Sequence, residues 1–133
     1  MPKSISSFGF RHGLVVDGKT LVSAHASKLR QPYLKMNGMF GPLIVDVRRI
    51  LPKNPYHNKT LRALRGDHSL VIAELESTPD LERFYQELLD VVRGHQGHVY
   101  IGCTGGHHRS VYIAARLAFD LGLEVTHLNY ADK

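Results

Sequence analysis

The sequence predicts an α/β fold: a single domain over residues 1–133 with a mostly parallel sheet flanked by helices. Three observations carry this expectation. Short apolar, β-prone runs alternate with amphipathic stretches of helical length along the chain. The segment Val99-Tyr-Ile-Gly-Cys-Thr-Gly-Gly-His-His-Arg-Ser110 passes from a strand through a glycine loop into a helix, the kind of crossover that parallel strands require. Finally, 133 residues at 43% hydrophobic content can build one core of moderate size.

Each element has its own signal. Ser4 to Phe10 forms a first strand, closed by Arg11-His12-Gly13, with Phe8 and Phe10 on one face and directed into the core. Leu21 to Leu29 has the pattern of a short helix, and Lys35 to Pro42 is rich in turn residues. Leu43-Ile-Val-Asp-Val47 is a compact apolar run, hence a buried strand, and Pro52, Asn54 and Pro55 enforce a loop after it. A helical turn falls near Leu70 to Leu75. Ser77-Thr78-Pro79-Asp80 combines a capping hydroxyl, a first-turn proline and an early acid, which starts a second helix. Its buried stripe is Leu81, Phe84, Leu88, Val91 and Val92, and Gly94 stops it. A strand at His98 to Ile101, a helix at Arg109 to Leu121 stopped by Gly122, and a last strand at Val125 to Leu128 complete the alternation.

The net charge of +5 is unevenly spread. Residues 1–66 hold 12 Lys/Arg against Asp17 and Asp46, giving +10, whereas residues 67–133 hold 5 Lys/Arg against 10 Asp/Glu, giving −5. Such asymmetry suits either a face for a polyanion or a solvated basic surface. No apolar run approaches the roughly 18 residues of a membrane-spanning helix, and the N-terminus lacks the apolar stretch of a secretory signal. The single cysteine excludes an internal disulfide. These features predict a soluble, cytoplasmic protein without membrane contact.

The glycine loop carries the chemistry. Glycines let successive backbone N–H groups converge, and the first N–H groups of the following helix have no partner within it, so the loop builds an anion site. Thr104, Gly105, Gly106, His107, His108, Arg109 and Ser110 are its expected phosphate-binding residues, Arg109 adding a planar fork of donors. Cys103 to Ser110 also fits C-x-x-G-x-x-R-S, which resembles the signature loop of protein tyrosine phosphatases. That resemblance implies Cys103 as nucleophile, Arg109 as phosphoryl clamp and Ser110 as the hydroxyl aiding the leaving thiolate. Two departures stand against it: Gly102 precedes the cysteine where those enzymes usually carry histidine, and no Trp-Pro-Asp-like acid loop is present, leaving only Asp67 and Asp46 by type. Cys103 reads more readily as a small buried apolar residue at a strand end than as a nucleophile.

A second resemblance spans more of the chain. Ser7-Phe-Gly-Phe-Arg-His-Gly13, Asp46-Val-Arg48, Leu51-Pro52 with Asn54-Pro55, Leu61-Arg62 and Gly102 to Ala114 occur in this order, and together they resemble the C-terminal domain of the RapZ family of RNase adapter proteins. The resemblance implies a non-catalytic module that binds RNA and an amino-sugar phosphate, glucosamine-6-phosphate. It also implies action by presenting RNA to a ribonuclease, self-association into a homo-oligomer, and no cofactor. Carried over by position, Thr104, Gly105, Gly106 and Arg109 hold the phosphate. The histidine that family members place after Asn-Pro is here Tyr56, with His57 next, and either could bond sugar hydroxyls. Arg11, Arg48, Arg49, Lys53, Lys59 and Arg62 are the expected RNA contacts. Arg11 and Arg48 match basic positions that could line the same cleft, and Arg48 could alternatively pair with Asp46 or Asp67. Tyr33, Phe40 and Tyr56 are aromatics available for base stacking. The sequence departs from the family pattern in three ways: no N-terminal nucleotide-binding domain, an insertion at about residues 14–42, and no basic tail after Asn129.

Nine histidines raise the question of a metal, but no pair has the spacing of a standard zinc site, so none is expected. His25, His68, His95, His98 and His127 read as surface or structurally satisfied residues.

Overall fold

The computed structural model describes residues 1–24 and 31–129. Seven strands and three α-helices follow one another as β1 (Ser4–Gly9), β2 (Leu14–Val16), β3 (Lys19–Val22), β4 (Leu34–Met36), β5 (Leu43–Asp46), α1 (Ser69–Glu76), α2 (Leu81–Gly94), β6 (His98–Cys103), α3 (Arg109–Leu121) and β7 (Val125–His127). Short 3-10 turns occupy Phe10–His12, Val47–Arg49 and Pro55–His57. The α/β expectation holds, with a sheet of order β4-β5-β6-β1-β7. β5, β6, β1 and β7 run parallel, and β4 pairs antiparallel at one edge.

The two faces of the sheet are covered differently. Ile5, Leu43, Val45, Val99 and Ile101 pack with residues of all three helices into the main core. On the other face Phe8, Phe10, Ile44 and Tyr100 meet Leu14 and Val22 of the β2–β3 hairpin in a second cluster. Phe8 and Phe10 touch edge to face at 4.9 Å, so both are core residues as expected. Tyr33 packs against the main core, while Phe40 and Tyr56 stay exposed.

Three local expectations are corrected. Leu21 and Val22 belong to β3 of the hairpin, not to a helix, and the rest of the expected helix lies outside the described residues. The second helix begins at Leu81, not at a Ser77 or Thr78 cap. Its N-cap is Asp80, in a left-handed conformation (φ 61°) without a side-chain cap. The reason is that α1 runs to Glu76, and the Ser77 hydroxyl is used to close it, donating to the Glu74 carbonyl at 2.6 Å. The buried stripe of α2 is Leu81, Tyr85, Leu88, Leu89 and Val92; Phe84 is half-buried and Val91 exposed. Tyr85 can take a core position because its hydroxyl donates to Asp120 of α3 at 2.6 Å.

The topology positions the site. From the carboxyl end of β1 the chain leaves toward β4 and β5, whereas from β6 it crosses β1 through α3 to reach β7. These connections depart in opposite directions, and open parallel sheets form their ligand crevice where that happens. Gly9 pairs with Cys103, and Asp46 with Gly102, so the ends of β1, β5 and β6 meet at one edge.

Candidate functional site

At that edge lies a cavity of about 510 Å³, a size typical of small-molecule sites. One wall is the loop between β6 and α3, with Cys103, Thr104, Gly105, His107, His108 and Arg109 in its lining. The rest of the lining comes from the segment around the Pro55–His57 turn, with Asn54, Tyr56, His57 and Arg62, and from Arg11 in the turn after β1.

The loop is held by backbone contact with β1. Arg11 N–H donates to the Thr104 carbonyl at 3.0 Å. Gly106 has φ 79°, and a Cβ there would stand 2.6 Å from the Gly9 nitrogen, so glycine is required on both counts. The Gly9 N–H donates to Asn129 Oδ1 at 2.6 Å, which ties the segment after β7 into the same corner. Gly102 explains the missing histidine before the cysteine: a Cβ at 102 would fall within 2.6 to 2.7 Å of the Phe10 and Phe8 rings. On the far side Gly66 N–H donates to the His107 carbonyl at 2.7 Å.

Arg109 opens α3 and is only 5% exposed. Its guanidinium donates to the Leu51 carbonyl at 3.0 Å and to Thr104 Oγ1 at 3.3 Å, while its Nε is buried and has no protein partner. Burial pushes its pKa below the ordinary arginine value; Cys103 and Asp46 act against that shift, and Arg48 adds to it. A buried donor without an acceptor is costly. Cys103 Sγ lies 3.1 Å from Ser110 Oγ, its acceptor, and 3.3 Å from the Gly106 nitrogen, which donates to the sulfur.

The expected site residues divide. Cys103, Thr104, Gly105, His107, His108, Arg109, Tyr56 and His57 share the cavity, and Arg11 and Arg62, expected as RNA contacts, line it as well. Gly106 and Ser110 lie behind this lining and shape it, Ser110 being fully buried. Arg48 is outside the lining. It chelates Asp46 through two bonds of 2.9 Å and stacks over Phe10 at 4.4 Å, which realises its alternative role. That pairing also occupies Asp46, and Asp67 is absent from the lining, so neither carboxylate is placed as a general acid. Arg49 donates to the Gln31 carbonyl at 2.6 Å, Lys53 pairs with Glu74 at 2.9 Å, and Lys59 is exposed. The sequence reading missed Asn54 and Asn129 as parts of the site. Asn54 had a usable signal, since an Asn before proline commonly caps a turn, and its side chain accepts from the Tyr56 N–H at 3.1 Å. Among the described residues no three His, Cys, Asp or Glu side chains gather as a metal ion would need.

A sequence profile described as the RapZ C-terminal domain matches residues 39–131. The chain belongs to the RapZ C-terminal domain family. The match covers the RapZ-type loop and the Asp46 to Arg62 motifs, while the Ser7–Gly13 motif precedes it. Similar full-length proteins agree. A nucleotide-binding protein of Pediococcus pentosaceus is 34% identical over 142 aligned residues, covering 98% of this chain and 47% of the relative. One from Clostridioides difficile is 35% identical over 128 residues, covering 89% of this chain and 36% of the relative. A Stutzerimonas stutzeri protein, named for nucleotide binding and for its position between ptsN and ptsO, is 34% identical across 96% of this chain and 41% of itself. The RapZ-type chain thus spans less than half the length of these curated relatives.

Proposed function

We propose that this chain is a non-catalytic regulatory module that binds a phosphorylated small molecule in the Cys103–Ser110 loop and RNA across its basic residues. The observation that carries the first half is Arg109: a largely buried arginine at a helix N-terminus, in the lining of a cavity large enough for a sugar phosphate. A phosphate would receive the Arg109 donor and the field of α3 together. An amino-sugar phosphate is the first candidate, because it is the ligand the RapZ resemblance implies. The relatives are named for nucleotide binding as whole proteins, and a nucleotide's phosphate would suit the same loop. The absence of a carboxylate from the described lining supports binding over acid catalysis. The RNA half is supported by the charge of +10 over residues 1–66, with an adapter role toward a ribonuclease and self-association as further parts of the family reading.

Calorimetric titration tests the ligand half, using glucosamine-6-phosphate and glucose 6-phosphate against inorganic phosphate and unphosphorylated glucosamine. Saturable binding of a sugar phosphate above both references is expected. Arg109→Ala should weaken it roughly 10- to 100-fold, from the loss of one or two charge-assisted bonds. Arg109→Lys, which keeps the charge without the fork, should also weaken it. Equal binding by both variants, or no saturable heat, would remove the proposed site.

One specific observation favours a second reading, a cysteine-dependent phosphatase. The Gly106 N–H and the Ser110 hydroxyl both lie within 3.3 Å of Cys103 Sγ, where they would serve a nucleophilic or leaving thiolate. Continuous heat with inorganic phosphate accumulating, abolished in Cys103→Ser, would select that reading.

A further inference from the structure

We propose that Asn129 is a positioning residue for the ligand loop: its side chain sets the backbone at Gly9 against Gly105 and Gly106, and so couples ligand binding to the docking of β7. The inference rests on the reading of the loop as a phosphate site and adds to it a residue absent from the cavity lining. It begins where the ladder between β1 and β7 ends. β7 pairs with Ile5, Ser6 and Ser7, and the Leu128 N–H donates to the Ser7 carbonyl at 2.9 Å. The Gly9 N–H lies beyond that ladder, and a backbone donor left unanswered inside a fold is costly. The half-buried Asn129 side chain answers it, Oδ1 accepting at 2.6 Å.

Gly9 is also where β1 carries the loop. It stands opposite Cys103 in the register of β1 with β6, and a Cβ on Gly9 would come within 2.4 Å of the Gly105 carbonyl carbon. A Cβ on Gly106 would stand 2.6 Å from the Gly9 nitrogen and 3.1 Å from Asn129 Oδ1. The nitrogen that Asn129 holds is therefore the atom against which Gly106 rests. This contact is backbone on backbone, with no flexible side chain to absorb a shift, so a turn of the Gly9 peptide displaces Gly105 and Gly106. Gly106 donates to Cys103 Sγ at 3.3 Å, and Gly105 lines the cavity with Thr104, whose hydroxyl accepts from Arg109 at 3.3 Å. The choice of side chain follows the same logic. An aspartate would keep the acceptor but bring a negative charge beside a loop that takes an anion, whereas the amide accepts without charge. By linkage, a ligand that favours this loop geometry strengthens the Asn129 contact by the factor with which the contact strengthens the ligand.

The test combines titration with glucosamine-6-phosphate and amide hydrogen exchange on the intact chain, comparing the parent with Asn129→Ala, Asn129→Asp and Val125→Ala. Val125 lies on β7 and packs against the main core, so truncating it loosens the strand without removing the Gly9 acceptor. Asn129→Ala should weaken binding about five- to twentyfold, the loss of one hydrogen bond that orders the site, and should speed exchange at Gly9 and Gly106. Val125→Ala should melt earlier than the parent yet bind as it does. Asn129→Asp should keep the Gly9 amide protected, melt near the parent and bind more weakly, with a deficit that shrinks as salt screens the added charge. In the parent, saturating glucosamine-6-phosphate should slow exchange at Leu128, and Asn129→Ala should lose that slowing. Parent-like binding by either Asn129 variant, or an equal loss in Val125→Ala, overturns the positioning role while the loop reading stands. If glucosamine-6-phosphate does not bind, or Arg109→Ala leaves its binding unaffected, the loop reading fails and the positioning role with it.

Discussion

A guanidinium offers five N–H donors, and burying it is tolerable only when they are answered. For Arg109 the Leu51 carbonyl and Thr104 hydroxyl answer part of the fork, and the buried Nε is left over. The adjoining glycines make the loop's backbone testable. Gly105 and Gly106 are neighbours with opposite tolerances. An added Cβ on Gly105 meets only the His107 ring at 3.4 Å and Arg11 at 3.9 Å, whereas on Gly106 it meets β1 backbone in a left-handed conformation. Gly106→Ala should therefore destabilise the protein by about 1–3 kcal/mol, the cost of an unrelieved strained backbone. Gly105→Ala should melt close to the parent yet bind sugar phosphate more weakly, since its methyl enters the cavity. Thermal melts of both variants check this; equal melting temperatures would show that the loop does not press on β1 as described.

Among the elements, β7 is the shortest parallel strand, and a part-buried polar pair docks it. Ser7 Oγ and His127 Nδ1 lie 2.6 Å apart between β1 and β7. Burial pushes the His127 pKa below the ordinary histidine value, with the Asp67 charge acting in the opposite direction. The unfolded chain then binds the proton more readily than the native one, so stability from this group is full above about pH 6.5, the unfolded value, and is lost as pH falls through the folded value. Urea midpoints should drop between pH 7.5 and pH 5, and His127→Asn should flatten that drop; an unchanged slope would take His127 out of the account. The periodicity of the sequence located β1, β5, β6, α3 and β7 to within a residue or two, because each is bounded by a glycine, a proline or an abrupt loss of apolar character. It failed where tertiary contact decides. The β2–β3 hairpin exists because Leu14 and Val22 cover Phe8 and Phe10, contacts between residues up to 14 apart in sequence. The α2 stripe rotated because Asp120, on another helix, satisfies Tyr85. In the site, the loop residues were legible as a contiguous motif and Arg11 as a cleft residue through the family resemblance, while Arg62 as part of the cavity was not, since only the fold brings it to the loop.

Over the whole molecule the charge split acquires a geometry. Glu74, Glu76, Glu82, Glu87 and Asp90 lie on α1 and α2, while Arg11, Arg62 and the exposed Lys59 belong to the cavity walls and their flank. Binding of a polyanion to such a surface releases counterions and weakens with salt, by a log–log slope of roughly −0.7 per neutralised phosphate for single strands. Filter binding of single-stranded RNA from low to moderate salt should show that dependence. Lys59→Gln should lower the slope's magnitude by about that amount while weakening different sequences alike. No retention even at low salt would remove the RNA half of the proposed function. The Arg109–Leu51 bond has one more consequence, for synthesis of the chain. The cavity takes Arg11 from the turn after β1, four lining residues from 54–62 and the rest from the loop that ends at Arg109. A nascent chain that has emerged only as far as β6 has most of its sheet strands but no pocket. The ligand can therefore stabilise the folded product by mass action and can do nothing for the growing intermediate.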